Sequence, residues 1–393
     1  MILTSKQEEG LRIATRRFFT REPYTCIAGY AGSGKSTLVQ FIVQELELDP
    51  YEVAYISYTG KAAKVLTQKG CPNAITAHKL LYYANQGKDG KYYFKPKPRL
   101  EGNFRLIVVD EVSMLPSDMW DLLLSHKIHV LACGDPGQLP PINPKDDNHV
   151  LDKPHIFLDE IMRQAQDSEI IRLSMHIREG KPLHTFPCAN AEVKIIRPQE
   201  ITSGMYQWAD QVICATNNTR HDINKLIRQL NGRDGDPQVG DKVISLKNHW
   251  FELSNENLTP LTNGTIGTIT DVSNYEYYLP PGIHTNPKMP ALTLSMVDED
   301  GDSYEDMILD YNALVNGKKY LSDKQEYYLA KKALVPYEFS YGYAITCWKA
   351  QGSEWGKVLG IEESFPFDKE THKRYLYTMA TRASNKLVLV RKN

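Results

Sequence analysis

Gly29-Tyr30-Ala31-Gly32-Ser33-Gly34-Lys35-Ser36 is the stretch that decides the fold. An apolar run at residues 24–28 precedes it, and residues 37–43 follow with helical spacing. A strand, a glycine-rich loop and a helix in this order give the pattern G-x-x-x-x-G-K-[ST] the context of a phosphate cradle, because backbone N–H groups and a helix N-terminus face the polyphosphate. In such a loop Lys35 reaches the β- and γ-phosphates and Ser36 holds Mg²⁺. The sequence therefore predicts a nucleoside triphosphate site.

The composition is that of a folded globular protein. Its 393 residues predict two or three domains, and 41% hydrophobic residues suffice for sizeable cores. A net charge of −2 gives no global attraction to nucleic acid, so a polyanion would need a local basic groove. The six cysteines form no C-x-x-C pair, which argues against a zinc ribbon or a disulfide framework. No apolar run approaches the roughly 20 residues of a membrane span. We therefore expect a soluble, cytoplasmic protein, acting in the host cytoplasm if a phage encodes it.

Two carboxylates follow a strand that is predicted to be buried. Residues 106–109 form a continuous apolar run, typical of a parallel sheet covered on both faces, and Asp110 and Glu111 come directly after it. Two acids at that position are costly unless they face a metal or a reacting water. With the phosphate loop upstream, we predict that Asp110 supports Mg²⁺ and that Glu111 orients or deprotonates the attacking water. A third strand leads into residues 134–141, where the uncharged Gln138 is placed to sense a γ-phosphate.

Three further features admit both a functional and a structural interpretation. Gln7, in a helix that Thr4 or Ser5 is predicted to cap, could read the edge of adenine or simply lie in solvent. Residues 58–64 follow a predicted strand, where open α/β sheets bind ligands, although a turn with solvated lysines has the same pattern. Residues 85–99 are basic and aromatic around Asp89-Gly90, which predicts either a hairpin that contacts nucleic acid or a surface hairpin with an aromatic cluster.

These blocks together resemble superfamily 1 helicases of the RecD/Dda-like branch. The resemblance rests on Gln7, the phosphate loop, Thr59-Gly60-Lys61-Ala62-Ala63, Asp110-Glu111-Val112-Ser113-Met114 and the Gly134–Pro141 loop. Later blocks continue the family's order: Ile161-Met162-Arg163-Gln164, Ala215-Thr216-Asn217-Asn218-Thr219-Arg220, Tyr343-Ala344-Ile345-Thr346-Cys347-Trp348-Lys349-Ala350-Gln351-Gly352-Ser353-Glu354 and Tyr377-Thr378-Met379-Ala380-Thr381-Arg382-Ala383. The similarity therefore spans nearly the whole chain.

The resemblance implies an α/β fold of two RecA-like P-loop motor lobes, with ATP between them and single-stranded DNA across the top. It implies that Arg163 and Arg382 reach the γ-phosphate, where an arginine finger can be worth ~10³–10⁵ in rate. Together with Lys35, Glu111 and Gln138 these arginines would form the catalytic set. The implied nucleotide site consists of Gln7, Gly32, Ser33, Gly34, Lys35, Ser36, Thr37, Gly352 and Glu354. The implied DNA path consists of Thr59, Lys61, His78, Phe94, Pro140, Asn218, Asn263, Thr346, Trp348 and Lys349.

Two positions depart from the family pattern. Relatives usually have proline where this chain has Tyr58, and histidine where it has Trp348. A tryptophan can stack on a base at about 1–3 kcal/mol, but it can equally be a core residue. The part that Trp348 plays in DNA binding is therefore open at this point.

We predict three structural parts. The first lobe spans residues 1–175, with a pin-like hairpin insertion at about 85–103, and the second lobe combines residues 176–239 and 336–393. Residues 240–335 contain short strands split by turns, which predicts a small inserted β-barrel. The resemblance implies that this insertion is SH3-like, and both clamping DNA and holding a protein partner are compatible with it. Asn263-Gly264 marks a hairpin in it, and the tyrosine-rich residues 275–282 read as a loop without an assigned role. A helix at residues 375–383 is predicted to present Arg382.

The sequence thus predicts an ATP- and Mg²⁺-dependent DNA helicase, a monomer that moves 5′ to 3′ by resemblance. Its expected partners are single-stranded DNA, duplex–single-strand junctions, and proteins of replication or recombination. One alternative is an ATPase subunit of a recombination or exonuclease complex that translocates with little unwinding. Another is a nucleic-acid-binding switch that ATP controls. No separate cluster of acids or histidines resembles a nuclease site, so we do not expect this chain to cleave DNA.

Overall fold

The computed structural model describes residues 3–86, 92–141, 143–255, 259–278, 288–317, 322, 325, 328–329, 336–364 and 368–392. The chain divides into two compact units. The first contains Met1–Tyr82, Pro96–Thr216 and Thr346–Asn393, and the second contains Tyr83–Lys95 and Asn217–Ile345.

The first unit begins with helix α1 (Ser5–Phe19), which Thr4 caps. The Thr4 hydroxyl accepts a hydrogen bond from the Gln7 backbone N–H at 3.3 Å, and Gln7 Oε1 accepts one from the Thr4 N–H at 3.0 Å. This capping box confirms Thr4 as the N-cap. The chain continues through β1 (Tyr24–Gly29), α2 (Lys35–Glu45), β2 (Val53–Ser57), α3 (Gly60–Gln68), β3 (Ile75–Thr76), α4 (Ala77–Leu81), β4 (Tyr82–Gln86), β5 (Tyr92–Pro96), β6 (Leu106–Val109), α5 (Ser117–Ser125), β7 (His129–Gly134) and β8 (Ile156–Leu158).

Six of these strands form a parallel sheet in the order β3-β2-β6-β7-β1-β8. The apolar run of β6 is buried along its whole length, with one hydrophobic cluster on each side of the sheet. Burial on both faces is what a continuous apolar strand predicts. Parallel pairing brings the carboxyl ends of β1, β2, β6 and β7 to one edge, so the loops that follow them lie together.

Strands β4 and β5, most of whose residues belong to the second unit, pair with each other as a separate two-stranded sheet. The Asp89-Gly90 turn predicted between them lies outside the described residues. Tyr93 and Phe94 on β5 are exposed, Phe94 by 38%.

The first unit also contains a second parallel sheet. Its elements are α6 (Arg163–Gln166), α7 (Glu169–Arg178), β9 (Val193–Ile196), α8 (Ser203–Trp208), β10 (Gln211–Cys214), α11 (Cys347–Ala350), β19 (Trp355–Ile361), α12 (Lys369–Ala380) and β20 (Ala383–Val390). The strands pair in the order β10-β19-β20-β9. Helix α12 ends at Ala380, where the Thr381 N–H returns to the Tyr377 carbonyl. The prediction that this helix presents Arg382 is wrong, because Arg382 lies in the turn between α12 and β20.

A buried carboxylate fastens α7 to the strand that follows it. The Glu169 carboxylate is 0% exposed and accepts hydrogen bonds from the backbone N–H groups of Ala189, Asn190, Glu192 and Val193. The Glu192 carboxylate in turn accepts from the Glu169 N–H at 2.7 Å. Burial opposes the charge on Glu169, but the four N–H donors outweigh it and lower the pKa of the carboxyl below its ordinary 4.5.

Glu169→Gln is therefore expected to lower the free energy of unfolding by about 2 kcal/mol at pH 7. The amide replaces one acceptor oxygen of the carboxylate by an NH₂ group, which cannot accept from the backbone N–H donors. The pKa of Glu169 is lower in the folded state. The carboxylate thus stabilises the fold above about pH 4.5 and loses this contribution as the pH falls through the folded value. Chemical denaturation of both proteins between pH 7 and pH 4 measures the effect. A difference that does not shrink toward low pH would contradict it.

The second unit carries an antiparallel sheet. After α9 (Asn217–Leu230) come β11 (Lys242–Ser245), β12 (His249–Leu253), β13 (Pro260–Leu261), β14 (Ile266–Tyr278), β15 (Lys288–Asp298), β16 (Ser303–Asp310), α10 (Tyr311–Asn316), β17 (Phe339–Tyr341) and β18 (Ala344–Thr346). Five strands pair in the order β16-β15-β14-β11-β17 around a buried apolar cluster. Residues 275–278 lie inside β14, so the loop predicted there is wrong for these four residues. Residues 279–282 of that prediction lie outside the described ranges.

A buried ion pair joins α9 to the start of this sheet. Arg228 contacts Asp241 at 3.0 Å, and the Tyr343 hydroxyl donates to the same carboxylate at 2.9 Å. The guanidinium also lies 4.3 Å from the centre of the Tyr341 ring. Because both charges are satisfied by several partners, the pair fixes α9 against β11 without leaving a buried charge unpaired. Within the part of the chain that the structure describes, no helix has the length and apolar character to cross a membrane.

Candidate nucleotide site

The phosphate loop is a compact turn between β1 and α2. Gly32 and Gly34 have left-handed backbones, with φ of 75° and 81°. A Cβ at Gly34 would lie 2.5 Å from Gln7 Nε2, so only glycine fits there. The Lys35 ammonium donates hydrogen bonds to the carbonyl oxygens of Gly29 at 2.7 Å and Tyr30 at 3.1 Å. The lysine thus lies along its own loop, beside the N-terminus of α2, where an anion would be stabilised.

Gln7 is buried against this loop. Its side chain is 1% exposed, and Nε2 donates to the Gly34 carbonyl at 3.4 Å while Oε1 belongs to the capping box of α1. The alternative of a solvated Gln7 is therefore wrong. The amide holds α1 against the phosphate loop, and its contact with adenine stays a prediction.

The two predicted acids stand at the end of β6. The Asp110 N–H donates to the Ile56 carbonyl of β2 at 3.0 Å, and Glu111 follows with a left-handed φ of 52°. This turn lets Glu111 Oε1 accept a hydrogen bond from Gln138 Nε2 at 3.2 Å, which joins the loops after β6 and β7. The loops at the carboxyl end of the six-stranded sheet thus bring Glu111 and Gln138 together, as the sequence predicts.

Three buried polar atoms of this group have no hydrogen-bond partner within the described residues. They are Ser33 Oγ, Glu111 Oε2 and Gln138 Oε1. Buried polar atoms are nearly always hydrogen-bonded in folded proteins. The Ser33 hydroxyl can donate to a phosphate oxygen, while the Glu111 carboxylate oxygen and the Gln138 amide oxygen can accept hydrogen bonds from a reacting water.

The electrostatics of the site favour a bound cation. Loss of solvent and the adjoining Glu111 carboxylate raise the pKa of Asp110 to about 6, while Lys35 acts in the opposite direction. Burial likewise raises the pKa of Asp135, against the influence of Lys35. Asp110, Glu111 and Asp135 thus place three carboxylates near Lys35, and a divalent ion would relieve the repulsion between them.

The donor set fits magnesium in particular. No cluster of three or more His, Cys, Asp or Glu side chains suited to a metal occurs in the described ranges. Mg²⁺ is usually held by one or two protein oxygens, with phosphate oxygens and water completing its octahedron. Ser36 at the start of α2 and Asp110 at the end of β6 are the two residues predicted to supply such oxygens.

Tyr377 of α12 reaches both the phosphate loop and the loop after β7. Its hydroxyl accepts a hydrogen bond from the Ala31 N–H at 2.8 Å and donates one to Asp135 Oδ2 at 2.6 Å. Tyr377 is not among the predicted site residues. Its position in the same sequence block as Arg382 is the feature that could have indicated a role in the site.

The rest of the loop after β7 is also fastened to the second sheet. The Thr378 hydroxyl accepts from the Leu139 N–H at 2.9 Å, and Gln351 Nε2 donates to the Leu139 carbonyl at 2.8 Å. The Trp348 indole N–H donates to the Pro140 carbonyl at 3.1 Å. Trp348 therefore contacts the loop that carries Gln138, and its stacking on a base stays a prediction. Thr378 and Gln351 were missed, although both lie in motifs quoted from the sequence.

The two predicted arginines lie on different segments. Arg382 is 7% exposed, and its guanidinium donates to the carbonyls of Ser353 at 3.2 Å and Thr378 at 3.1 Å. Arg163 begins α6, and its side chain lies outside the described part of the structure. Its backbone is near the phosphate loop, because the preceding Met162 N–H donates to the Gly32 carbonyl at 3.0 Å.

Gly352 packs against α3. It has a left-handed φ of 72°, and a Cβ there would lie 2.9 Å from the Cβ of Ala62. Nearby, the Lys61 ammonium lies 4.7 Å from the centre of the Trp355 ring. The structure thus places Gly352, predicted for the nucleotide, next to residues predicted for DNA, while Glu354 between them is exposed.

The residues predicted for DNA lie in both units. Those in the first unit are Thr59, the N-cap of α3; Lys61 on α3; His78 on α4, 5.6 Å from the Tyr58 ring; Pro140; Thr346, the N-cap of α11; and Trp348 and Lys349 on α11. Those in the second unit are Phe94 on β5, Asn218 on α9, and Asn263, whose N–H donates to Asn248 Oδ1 at 2.8 Å.

Protein-family models match both the N-terminal part and the C-terminal part of the chain. The family described as "AAA domain" matches residues 4–197, and the "UvrD-like helicase C-terminal domain" matches residues 341–390. The ATP-dependent RecD2 DNA helicase of Deinococcus radiodurans is 26% identical over 388 residues, covering 92% of this chain and 46% of that protein. The ATP-dependent DNA helicase dda of Enterobacteria phage T4 is 26% identical over 192 residues, covering 46% of this chain and 43% of that protein. The chain thus spans less than half the length of these relatives.

Solved structures show the same fold. The Pif1 helicase from Bacteroides, in complex with ADP-AlF3 and single-stranded DNA, has a TM-score of 0.54 at 16% identity, covering 99% of this chain and 92% of that one. The Pif1 helicase from Candida albicans has a TM-score of 0.53 at 19% identity, covering 100% of this chain and 95% of that one. The predicted α/β fold with two RecA-like lobes is therefore confirmed.

Proposed function

We propose that this chain, which belongs to the RecD/Pif1/Dda-like superfamily 1 helicases, is an ATP-dependent DNA helicase that translocates on single-stranded DNA and unwinds duplex. The observation that carries the proposal is the hydrogen bond from Gln138 to Glu111 at 3.2 Å, in loops that follow β6 and β7 at the same sheet edge as the phosphate loop after β1. A binding switch without turnover needs no base beside an amide at this position.

The residues divide the hydrolysis between them. The phosphate loop from Gly32 to Thr37 binds the β- and γ-phosphates, and Lys35 exchanges its carbonyl partners for phosphate oxygens. Ser36 and Asp110 would hold Mg²⁺, which would supply charge neutralisation when bound. Glu111 takes a proton from water as the water oxygen bonds to the γ-phosphorus and the bond to the β–γ bridging oxygen breaks, which yields ADP and phosphate.

Arg163 and Arg382 complete the site in this proposal. Charge builds on the γ-phosphoryl oxygens during transfer, and guanidinium groups stabilise it. In the structure the Arg382 guanidinium donates to two carbonyls, so it must leave Ser353 and Thr378 to reach a phosphate. Gln7 reads adenine, and Gly352 and Glu354 close the nucleotide site from the second lobe.

DNA contacts couple to the same site. The loop after β7 carries Gln138 and is held at Pro140 by a hydrogen bond from Trp348. A DNA strand that contacts Trp348 therefore acts on the loop that orients the Glu111 carboxylate. Coupling requires that DNA and ATP bias one common equilibrium. In this proposal Thr59, Lys61, His78, Thr346 and Lys349 line the rest of the DNA path in the first unit. Phe94, Asn218 and Asn263 are proposed DNA contacts of the second unit.

The domain boundaries complete the proposal. Lobes of residues 1–175 and of 176–239 with 336–393 form the motor, and the β4–β5 pair serves as a strand-separating pin. Residues 240–335 form an SH3-like insertion that clamps DNA or holds a partner protein, and β17 (Phe339–Tyr341), just beyond this boundary, completes its antiparallel sheet. The protein acts as a cytoplasmic monomer on single strands and junctions, moving 5′ to 3′, together with proteins of replication or recombination.

Strand displacement on tailed duplexes tests the function. We expect ATP- and Mg²⁺-dependent unwinding of a duplex with a 5′ single-stranded tail and little unwinding of one with a 3′ tail. Unwinding only from the 3′ tail would contradict the direction. ATPase activity that single strands stimulate, with neither duplex opened, would favour the translocating subunit. ATP-dependent DNA binding without turnover would favour the switch.

Phe94→Ala should impair strand displacement about tenfold and leave ATP hydrolysis stimulated by single strands nearly unchanged, because an aromatic stack on a base is worth about 1–3 kcal/mol. Tyr51→Ala is the matched control, since Tyr51 is an exposed aromatic at 79% outside the pin. Parallel measurements of displacement and ATPase separate the two activities. An equal loss of both would reduce the hairpin to a folding element.

A further inference from the structure

The Tyr377 hydroxyl uses both its donor and an acceptor inside the nucleotide site. It accepts from the Ala31 N–H of the phosphate loop at 2.8 Å and donates to Asp135 Oδ2 at 2.6 Å, and the side chain is 1% exposed. A Cβ at Gly137 would lie 3.0 Å from Cε1 of the same ring. The ring thus packs closely against Gly137 in the loop after β7.

Asp135 connects Tyr377 to the proposed catalytic pair, Glu111 and Gln138. Its Oδ1 accepts from the Gly137 N–H at 2.8 Å, and its carbonyl accepts from the Gln138 N–H at 3.2 Å. These bonds close a turn that begins at Asp135 and ends at Gln138. At the end of the turn, Gln138 Nε2 donates to Glu111 Oε1 at 3.2 Å. The Asp135 carboxylate and backbone carbonyl thus both hold the turn that ends at Gln138.

We propose that Tyr377 is a positioning residue for ATP hydrolysis. Its hydroxyl orients Asp135, and through the Asp135–Gln138 turn it holds Gln138 against Glu111. The same hydroxyl ties this turn to the phosphate loop at Ala31. The phosphate loop and the Glu111–Gln138 pair therefore keep a fixed position relative to each other. The inference rests on the proposed hydrolysis site and adds a residue of the second lobe to it.

A purely structural role for Tyr377 is the alternative, and the same helix supplies its control. Tyr375 is also fully buried on α12, and its hydroxyl donates to the Ile361 carbonyl of β19, away from the phosphate loop. Tyr375→Phe and Tyr377→Phe each remove one buried hydroxyl from α12 and retain the ring. Any general weakening of the helix should affect both variants alike.

Steady-state ATPase assays with saturating single-stranded DNA compare the two variants with wild type. We expect Tyr377→Phe to lower kcat about ten- to a hundredfold, because one of the lost hydrogen bonds is to a carboxylate. The KM for ATP should stay within about threefold, since Lys35 is untouched. Tyr375→Phe should retain kcat within about threefold. Equal kcat in the two variants, or a loss confined to KM, would overturn the positioning role.

Asp135→Asn tests the route. If Tyr377 acts through Asp135, the double variant Asp135→Asn/Tyr377→Phe should be no slower than the slower single variant. Multiplying losses would overturn the route through Asp135. A wild-type protein that does not hydrolyse ATP would refute the proposed function, and the positioning role with it. A wild type that hydrolyses ATP while Tyr377→Phe matches it would refute the positioning role alone.

Discussion

Lys35→Ala is expected to lower kcat for ATP hydrolysis roughly 10²–10³-fold, with a further loss of ATP affinity, since it removes a preorganised charge from developing phosphate charge. The ammonium already lies in the loop, hydrogen-bonded to the carbonyls of Gly29 and Tyr30. No rotation of the backbone is needed for it to transfer from those carbonyls to phosphate oxygens. The stabilisation is therefore prepared before ATP arrives.

The effect should be specific to this lysine. Lys35 begins α2, so its removal leaves the turn through Gly32 and Gly34 and the apolar contacts of the helix unchanged. We expect the unfolding temperature to stay close to that of wild type, and DNA binding without nucleotide to persist. Lys153→Ala, at an exposed lysine of the same unit, is the control and should hydrolyse ATP normally. Normal turnover by Lys35→Ala would refute the assigned nucleotide site.

The parts of the fold that follow from local pattern could be predicted from the sequence. The apolar runs of β1, β2, β6 and β7 each lack an exposed face, and only a sheet buried on both sides accommodates them. The cap of α1 was predicted as Thr4 or Ser5, and Thr4 is the one observed, because a cap is decided within a few residues. The acids after β6 follow from the same logic, since a strand's position fixes where its next residues lie.

Contacts between distant segments could not be predicted. Tyr377 and Asp135 are 242 residues apart, and neither carries a spacing that points to the other. The sequence left open whether Gln7 lies in solvent, but contact with Gly34 of the phosphate loop buries it. The end of α12 was misplaced because residues 375–383 continue a helical pattern, whereas the Thr381 N–H closes the helix and leaves Arg382 in the turn. Tertiary packing decides each of these cases.

The orientation of the Glu111 side chain supports the second large effect. Glu111→Gln is expected to slow hydrolysis roughly 10²–10⁴-fold, the usual contribution of a general base, while ATP and DNA still bind. Glutamine has the same shape, and its Oε1 can still accept the hydrogen bond from Gln138 Nε2. What the substitution removes is the group that takes the proton from water.

Electrostatics should make binding in this variant at least as strong as in wild type. The Glu111 carboxylate raises the pKa of the adjoining Asp110, so a neutral amide lowers that pKa and favours the ionised Asp110 that would hold Mg²⁺. Equilibrium titration with a fluorescent ATP analogue measures binding, and single-turnover hydrolysis measures the chemical step. Glu305→Gln, at an exposed carboxylate of β16, controls for loss of charge. Loss of ATP binding in Glu111→Gln would count against the base role, because a residue that only handles the proton contributes nothing to holding the nucleotide.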